Sequence, residues 1–149
     1  FLAFASNLTV LRMPNSEITD VKYLNYFNAL KYLSSTYKVD FSYNDLAQLY
    51  TGAFIWCRDA SFLNVSHNKI VSTDGAFFFN SYLNSFDISH NRINSTELES
   101  LNLRQLKYLN FDYNLVDSID IRLFSRLYAL SGRNNQLASF DLNSLYLET

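Results

Sequence analysis

Residues that bend, cross-link or charge a chain are scarce in this sequence of 149 residues. There are three Gly and one Pro, too few for a fold built on hairpin turns, which rely on those residues for their backbone geometry. Cys57 is the sole cysteine, so neither an internal disulfide nor a cysteine-based zinc site can form. Neither sign of charge dominates: 12 Lys and Arg against 14 Asp and Glu leave −2. That balance argues against a phosphate-tracking surface, and no nucleic-acid partner is expected. Long apolar runs are missing too. Phe1–Ala5, Gly52–Cys57 and Gly75–Phe79 fall far short of the ~20 residues of a membrane helix, so no span is expected in this segment. No signal peptide is visible, and a chain starting at Phe1 reads as a mature or trimmed segment. With 48% apolar and 17% charged residues, disorder is excluded and one domain is expected.

What is abundant is Leu, with 23 copies, and Asn, with 17. Aligning the chain on its Asn residues reveals a repeat. Val39-x-Phe41-x-x-Asn44-x-Leu46 recurs as Leu63-x-Val65-x-x-Asn68-x-Ile70, as Phe86-x-Ile88-x-x-Asn91-x-Ile93 and as Leu109-x-Phe111-x-x-Asn114-x-Val116. A weaker copy follows, Leu130-x-Gly132-x-x-Asn135-x-Leu137, and an upstream one has Ser16 in the Asn place. Successive spacings are 28, 24, 23, 23 and 21 residues. Chance alternation does not hold both register and period over six copies. Units of this length with this pattern are the leucine-rich-repeat signature.

Each position has a physical reading. The two apolar anchors at spacing two point to one side of a short strand, and the residue between them points to the other. Asn44, Asn68, Asn91, Asn114 and Asn135 then turn the chain, their amides satisfying backbone groups the turn leaves unpaired. Stacked in register they form a ladder, and the strands form a parallel sheet whose core exists only through neighbouring repeats. The return limbs are less regular. Gly52-Ala53-Phe54 and Gly75-Ala76-Phe77 lie 23 residues apart, with Leu2-Ala3-Phe4 as a relic of the same element. Their Phe residues are expected to plug the interior from the convex side. Glu97–Leu106 is read as a helical turn or two, and Val21–Leu33, apolar at every third residue, as a longer helix.

The chain resembles the leucine-rich-repeat superfamily over nearly its whole length. Asn7-Leu8-Thr9-Val10-Leu11, Leu63-Asn64-Val65-Ser66-His67-Asn68-Lys69-Ile70 and the two Gly-Ala-Phe units are similar to animal extracellular repeats. Their texture is similar to insect immune ectodomains, including Toll-like receptors and the mosquito leucine-rich immune proteins. The short repeat at Leu130-Ser131-Gly132-Arg133-Asn134-Asn135 also resembles the mosquito group. The resemblance implies an α/β solenoid, a horseshoe segment with a parallel concave sheet and an irregular or short-helical convex side. It also implies a binding scaffold and names no ligand. Such ectodomains usually carry cysteine-rich caps, which this segment lacks. Six repeats are placed near 8–35, 36–59, 60–82, 83–105, 106–126 and 127–147, within one domain spanning 1–149 that belongs to a longer solenoid.

Solenoids commonly bind through the concave face, where the positions around the strand anchors are displayed. Between the anchors stand Arg12, Asp40, Asn64, Asp87, Asn110 and Ser131; just past the second stand Pro14, Ser42, Ser66, Ser89, Asp112 and Arg133. The next column is Asn15, Tyr43, His67, His90, Tyr113 and Asn134, and the column before the first anchor is Val10, Lys38, Phe62, Ser85, Tyr108 and Ala129. The candidate partner-binding stripe is therefore Tyr43, His67, His90, Tyr113, Phe62 and Tyr108 with Asp40, Asp87 and Asp112, aromatics beside carboxylates. The competing reading is that Ser-His-Asn and Tyr-Asn are ordinary repeat filler.

His67 and His90 occupy equivalent places in adjacent repeats, so their Cα atoms are expected about 5 Å apart. Such a pair can hold a metal or switch on protonation with Asp87 as third group, or simply be solvated. Asn7, Asn64 and Asn94 head glycosylation sequons. A glycan on Asn64 would block the central stripe. Cys57, beside Trp56, is read as a buried small residue rather than a thiol that cross-links chains. No nucleophile-base set, phosphate loop or metal-ligand spacing points to catalysis, and no cofactor or metal is expected. The expected activity is recognition of another protein, a ligand or co-receptor, in extracellular innate immunity or at a cell surface. The rivals are an intracellular scaffold, a secreted microbial effector, or an enzyme using His67, His90 and Asp87. Leu142-x-x-Leu145-x-Leu147 opens another strand as the chain stops, so exposed apolar ends and self-association through an end are also expected.

Overall fold

The structure, a computed structural model, describes residues 8–21, 37–77 and 79–138. Six short strands, β1 (Val10–Arg12), β2 (Lys38–Asp40), β3 (Phe62–Asn64), β4 (Ser85–Asp87), β5 (Tyr108–Asn110) and β6 (Ala129–Ser131), form one sheet in sequence order. Every pairing is parallel. The register carries Leu11, Val39, Leu63, Phe86, Leu109 and Leu130 side by side without a slip. Period-two patterning explains the lock: a one-residue shift would send each buried anchor to solvent. The result is an α/β leucine-rich-repeat solenoid of about six repeats.

Both anchor columns face inward. Leu63, Phe86 and Leu109 are buried, as are the second anchors Phe41, Val65, Ile88 and Phe111. Behind them the Asn residues close each repeat. Asn68 Oδ1 accepts from Leu46 N–H at 2.9 Å, while its Nδ2 lies within hydrogen-bond distance of the carbonyls of Phe41, Val65 and Ser66. Asn91 repeats this pattern with Ile70 N–H and the carbonyls of Val65, Ile88 and Ser89. Asn44, Asn114 and Asn135 follow it at their own corners. No amide touches another amide in this set of contacts: the ladder is a backbone–side chain–backbone relay between consecutive repeats.

The convex side is irregular. Gly52 (φ 68°) and Gly75 (φ 67°) take the left-handed turn that glycine adopts at least cost, and Gly52 N–H donates to Gly75 C=O at 3.2 Å. Phe54 then stacks on Phe77 with centroids 5.5 Å apart, and Phe77 meets Phe86 edge-on at 4.9 Å. These rings fill the interior from the convex side as expected. A 3-10 turn at Ile55–Cys57 buries Trp56 and Cys57, and another spans Ile121–Phe124.

The expected helical stretch at Glu97–Leu106 is displaced. The helix α1 covers Ser95–Glu99, starting two residues earlier because Asn94 Oδ1 caps Glu97 N–H at 2.9 Å. It stops before Asn102, where the chain turns left-handed (φ 49°). Leu98, Leu101, Leu103 and Leu106 are all buried, but only Leu98 is so from a helix. Most of the helix expected over Val21–Leu33, the Leu2-Ala3-Phe4 relic and the strand expected at Leu142–Leu147 lie outside the described residues.

Candidate functional site

The concave face is built column by column, and the first column is only partly available for binding. Asp40, Asn64, Asp87 and Asn110 use a side-chain oxygen to accept the backbone N–H two residues on, at 2.9–3.1 Å. These are Asx turns, which make the bend out of each strand. Ser131 makes no such turn, its hydroxyl donating to Asp112 instead. In its repeat Asp112 of the neighbouring repeat takes over, accepting from Arg133 N–H at 2.7 Å and from Ser131 Oγ at 2.7 Å. Asp40, Asp87 and Asp112 thus hold the scaffold together while remaining half-buried at its surface. The next column departs from expectation: Ser42, Ser66 and Ser89 are buried rather than displayed.

The following column holds the most ordered array. Asn15, Tyr43, His67, His90, Tyr113 and Asn134 all have positive φ, between 51° and 54°. Left-handed backbone costs roughly 1–2 kcal/mol for a residue with a Cβ, least for Asn. Two features hold it in place. Each N–H from Asn15 to Tyr113 donates across to the next repeat, as Tyr43 does to Ser66 C=O at 3.0 Å and His90 to Asp112 C=O at 2.8 Å. The rings also stack in one pile. Tyr43 to His67 is 4.0 Å, His67 to His90 is 3.9 Å and His90 to Tyr113 is 4.2 Å, with planes within 14°. Offset stacking of this kind adds about 0.5–1.5 kcal/mol per pair beyond burial. Tyr43 and Tyr113 are exposed, and the two imidazoles between them are half-buried.

Burial holds the His67 imidazole below its ordinary pKa, and the neighbouring His90 adds to the effect, while Asp87 partly opposes it. Asp87 is thus close enough to act on His67. Among the described residues, no group of three or more His, Cys, Asp or Glu side chains is placed to hold a metal ion.

Across the strands from this pile, Phe62, Ser85 and Tyr108 line a shallow depression of about 250 Å³ whose lining also includes Asp87, Asn110 and Ser131. Tyr108 also faces Tyr128 with centroids 6.5 Å apart, and Lys107 Nζ lies 6.0 Å above the Tyr128 ring. Tyr128 is the most exposed large hydrophobic residue described, yet it was absent from the candidate columns. The signal available in the sequence was its place two residues before the anchor Leu130, matching Tyr37 before Val39.

Of the sequons, Asn64 is half-buried, with Oδ1 engaged by Ser66 N–H and both following residues buried. Asn94 is exposed but caps α1, while Ser95 bonds Asp117 and Ser118. Asn7 lies outside the described residues. Cys57 is buried, its thiol donating to Phe54 C=O at 3.3 Å, and burial raises its pKa far above the usual thiol range. Among the described residues, no helix is long and apolar enough to cross a membrane.

No protein-family model and no curated protein sequence matches the chain. Solved structures do. The crystal structure of TLR13 in complex with ssRNA13 superimposes with a TM-score of 0.74 at 18% identity, over 97% of this chain and 24% of that one. An internalin of Listeria monocytogenes gives 0.65 at 19% identity, over 91% of this chain and 44% of that one. A leucine-rich-repeat protein of Leptospira interrogans gives 0.61 at 14% identity, over 97% and 49% respectively. The chain therefore spans less than half the length of each of these structures. The shared feature is the leucine-rich-repeat fold.

Proposed function

We propose that this chain is a recognition scaffold that binds a protein partner through its concave face. The observation that carries this reading is the fixed array on that face. Tyr43, His67, His90 and Tyr113 are held in one pile by stacked rings, and Phe62 and Tyr108 border a depression beside them. Side chains fixed before a partner arrives lose little entropy on binding, and aromatic side chains supply the large contact areas that dominate interfaces. The setting proposed is extracellular or cell-surface recognition in innate immunity, with Asn94 as the accessible glycosylation candidate and Asn7 and Asn64 as the others. The microbial neighbours keep a bacterial effector as the second reading.

The exclusion of nucleic acid on net charge is not retained, because TLR13, a structure of the same fold, was solved with single-stranded RNA. Selection of the chain against displayed ectodomain and peptide libraries, with single-stranded RNA as competitor, tests the proposal. Protein or peptide ligands should be retained, should resist the RNA, and should be lost on Tyr43→Ala or Tyr108→Ala but not on Arg104→Ala of the convex side. Retention of RNA alone would overturn it. Glycosidase treatment of material from a secreting eukaryotic host tests the setting: a mass decrease is expected, and an unchanged mass counts against secretion.

A further inference from the structure

The column before the first anchor alternates in size at its centre: Phe62 on β3, Ser85 on β4, Tyr108 on β5 and Ala129 on β6. Phe62 and Tyr108 are two strands apart, so their backbones are separated by roughly 9–10 Å. Ser85 does not fill the interval, and the depression described above includes the gap it leaves and runs on past Tyr108 to Ala129 and Ser131. A planar group needs about 3.5–4 Å to each neighbouring carbon surface, so the strand spacing leaves room for one flat group between these two aromatic residues. Tyr108 is exposed and Phe62 half-exposed, so the mouth is open to solvent.

The polar part of the lining decides the charge. Asp87 contributes a carboxylate whose Oδ1 accepts from Ser89, leaving Oδ2 with a single bond from Asn110 Nδ2 at 3.2 Å. Ser131 leads on to a second carboxylate, Asp112, at 2.7 Å. No basic side chain lines the depression. Two lysines flank it from outside the lining: Lys38 on β2 is in register with Phe62, and Lys107 lies over Tyr128.

We infer that the Phe62–Ser85–Tyr108 slot receives an arginine side chain of the partner protein. The guanidinium would lie flat between the two rings and turn one edge to Asp87. A guanidinium is planar, weakly hydrated, stacks on aromatic faces and offers paired donors to a carboxylate. An ammonium shares only the charge, and an aliphatic side chain only the fit between the walls. This inference rests on the concave-face reading above and specifies one contact within it.

The test uses the 149-residue chain and a hexapeptide array randomised around a fixed central residue: arginine, citrulline, lysine or leucine. Arginine peptides should be retained at least tenfold better than their citrulline counterparts, which keep the shape and lose the charge. Asp87→Asn should remove that preference without unfolding the chain, because Asn64 and Asn110 make the same turn at the equivalent place. Ser85→Leu should abolish retention by filling the gap while both walls stay intact. Equal retention of arginine and citrulline, or unchanged retention by Ser85→Leu, overturns the inference and leaves the scaffold reading standing. Failure to retain any peptide or ectodomain in either selection would count against both.

Discussion

Two consecutive residues, His67 and Asn68, show how differently side chains are used here. His67 occupies a left-handed position (φ 52°) inside a stack, so replacing it exchanges lost stacking against relieved backbone strain. After glycine, Asn is the residue that best tolerates this conformation, and it stands at both ends of the column, at 15 and 134. His67→Asn should therefore change stability by no more than about 1 kcal/mol in urea denaturation. Asn68 relays between Leu46 N–H and three carbonyls in the interior. Asn68→Ala should cost about 3 kcal/mol or more, since stranded buried backbone groups lose their partners. The pH dependence follows from the lowered His67 pKa. The unfolded chain takes up the proton near pH 6.5, and the folded chain only at lower pH. The stability linked to this group is therefore complete above about pH 6.5 and falls as pH drops through that value. Denaturation midpoints between pH 8 and 5 should fall more for the native sequence than for His67→Asn.

At the scale of the element, the strands were legible because two anchors, an Asn and a fixed period are strong constraints. Their partners across the sheet followed directly from the alignment of Asn44, Asn68, Asn91, Asn114 and Asn135. Less was legible where backbone conformation, rather than inward or outward direction, decides the structure. Ser42, Ser66 and Ser89 fall outside strict alternation because the chain bends there, and alternation alone placed them on the surface. The left-handed column left one trace, Asn at its two ends, which a reading of hydrophobic period does not weigh. The repeat at Leu130 looked degenerate for lack of a second apolar anchor, and the cause lies in the preceding element. A Cβ on Gly132 would stand 2.3 Å from Phe111 Cζ, so the phenylalanine of one repeat fills the anchor place of the next. Gly132→Ala should lose about 1–3 kcal/mol through overpacking. Pairing it with Phe111→Leu should recover part of that loss in a double-mutant cycle. Additive losses would show that the two residues do not share the space.

Among the described residues of the molecule, every strand pairing in the sheet joins consecutive repeats. Stability in such an array is a sum of repeat and nearest-neighbour terms, and interior repeats have two neighbours to support them. Amide hydrogen exchange should accordingly be slowest at Leu63, Phe86 and Leu109 and faster at Leu11 and Leu130. Uniform protection from end to end would contradict this. The candidate slot between β3 and β5 falls in that best-supported stretch, so its walls rest on the stiffest part of the scaffold.

The asparagine relay also makes the array directional. Each Asn reaches back, taking an N–H from the repeat before it: Asn91 serves Ile70, Asn114 serves Ile93 and Asn135 serves Val116. A repeat removed from the C-terminal side therefore orphans a donor in the repeat left behind. A repeat removed from the N-terminal side deprives the survivor's Asn of partners it can replace with water or with its own corner's carbonyls. The two ends of any fragment of this solenoid are thus chemically unlike. Growth by adding repeats at the C-terminal end completes the last turn, whereas growth at the other end begins a new one.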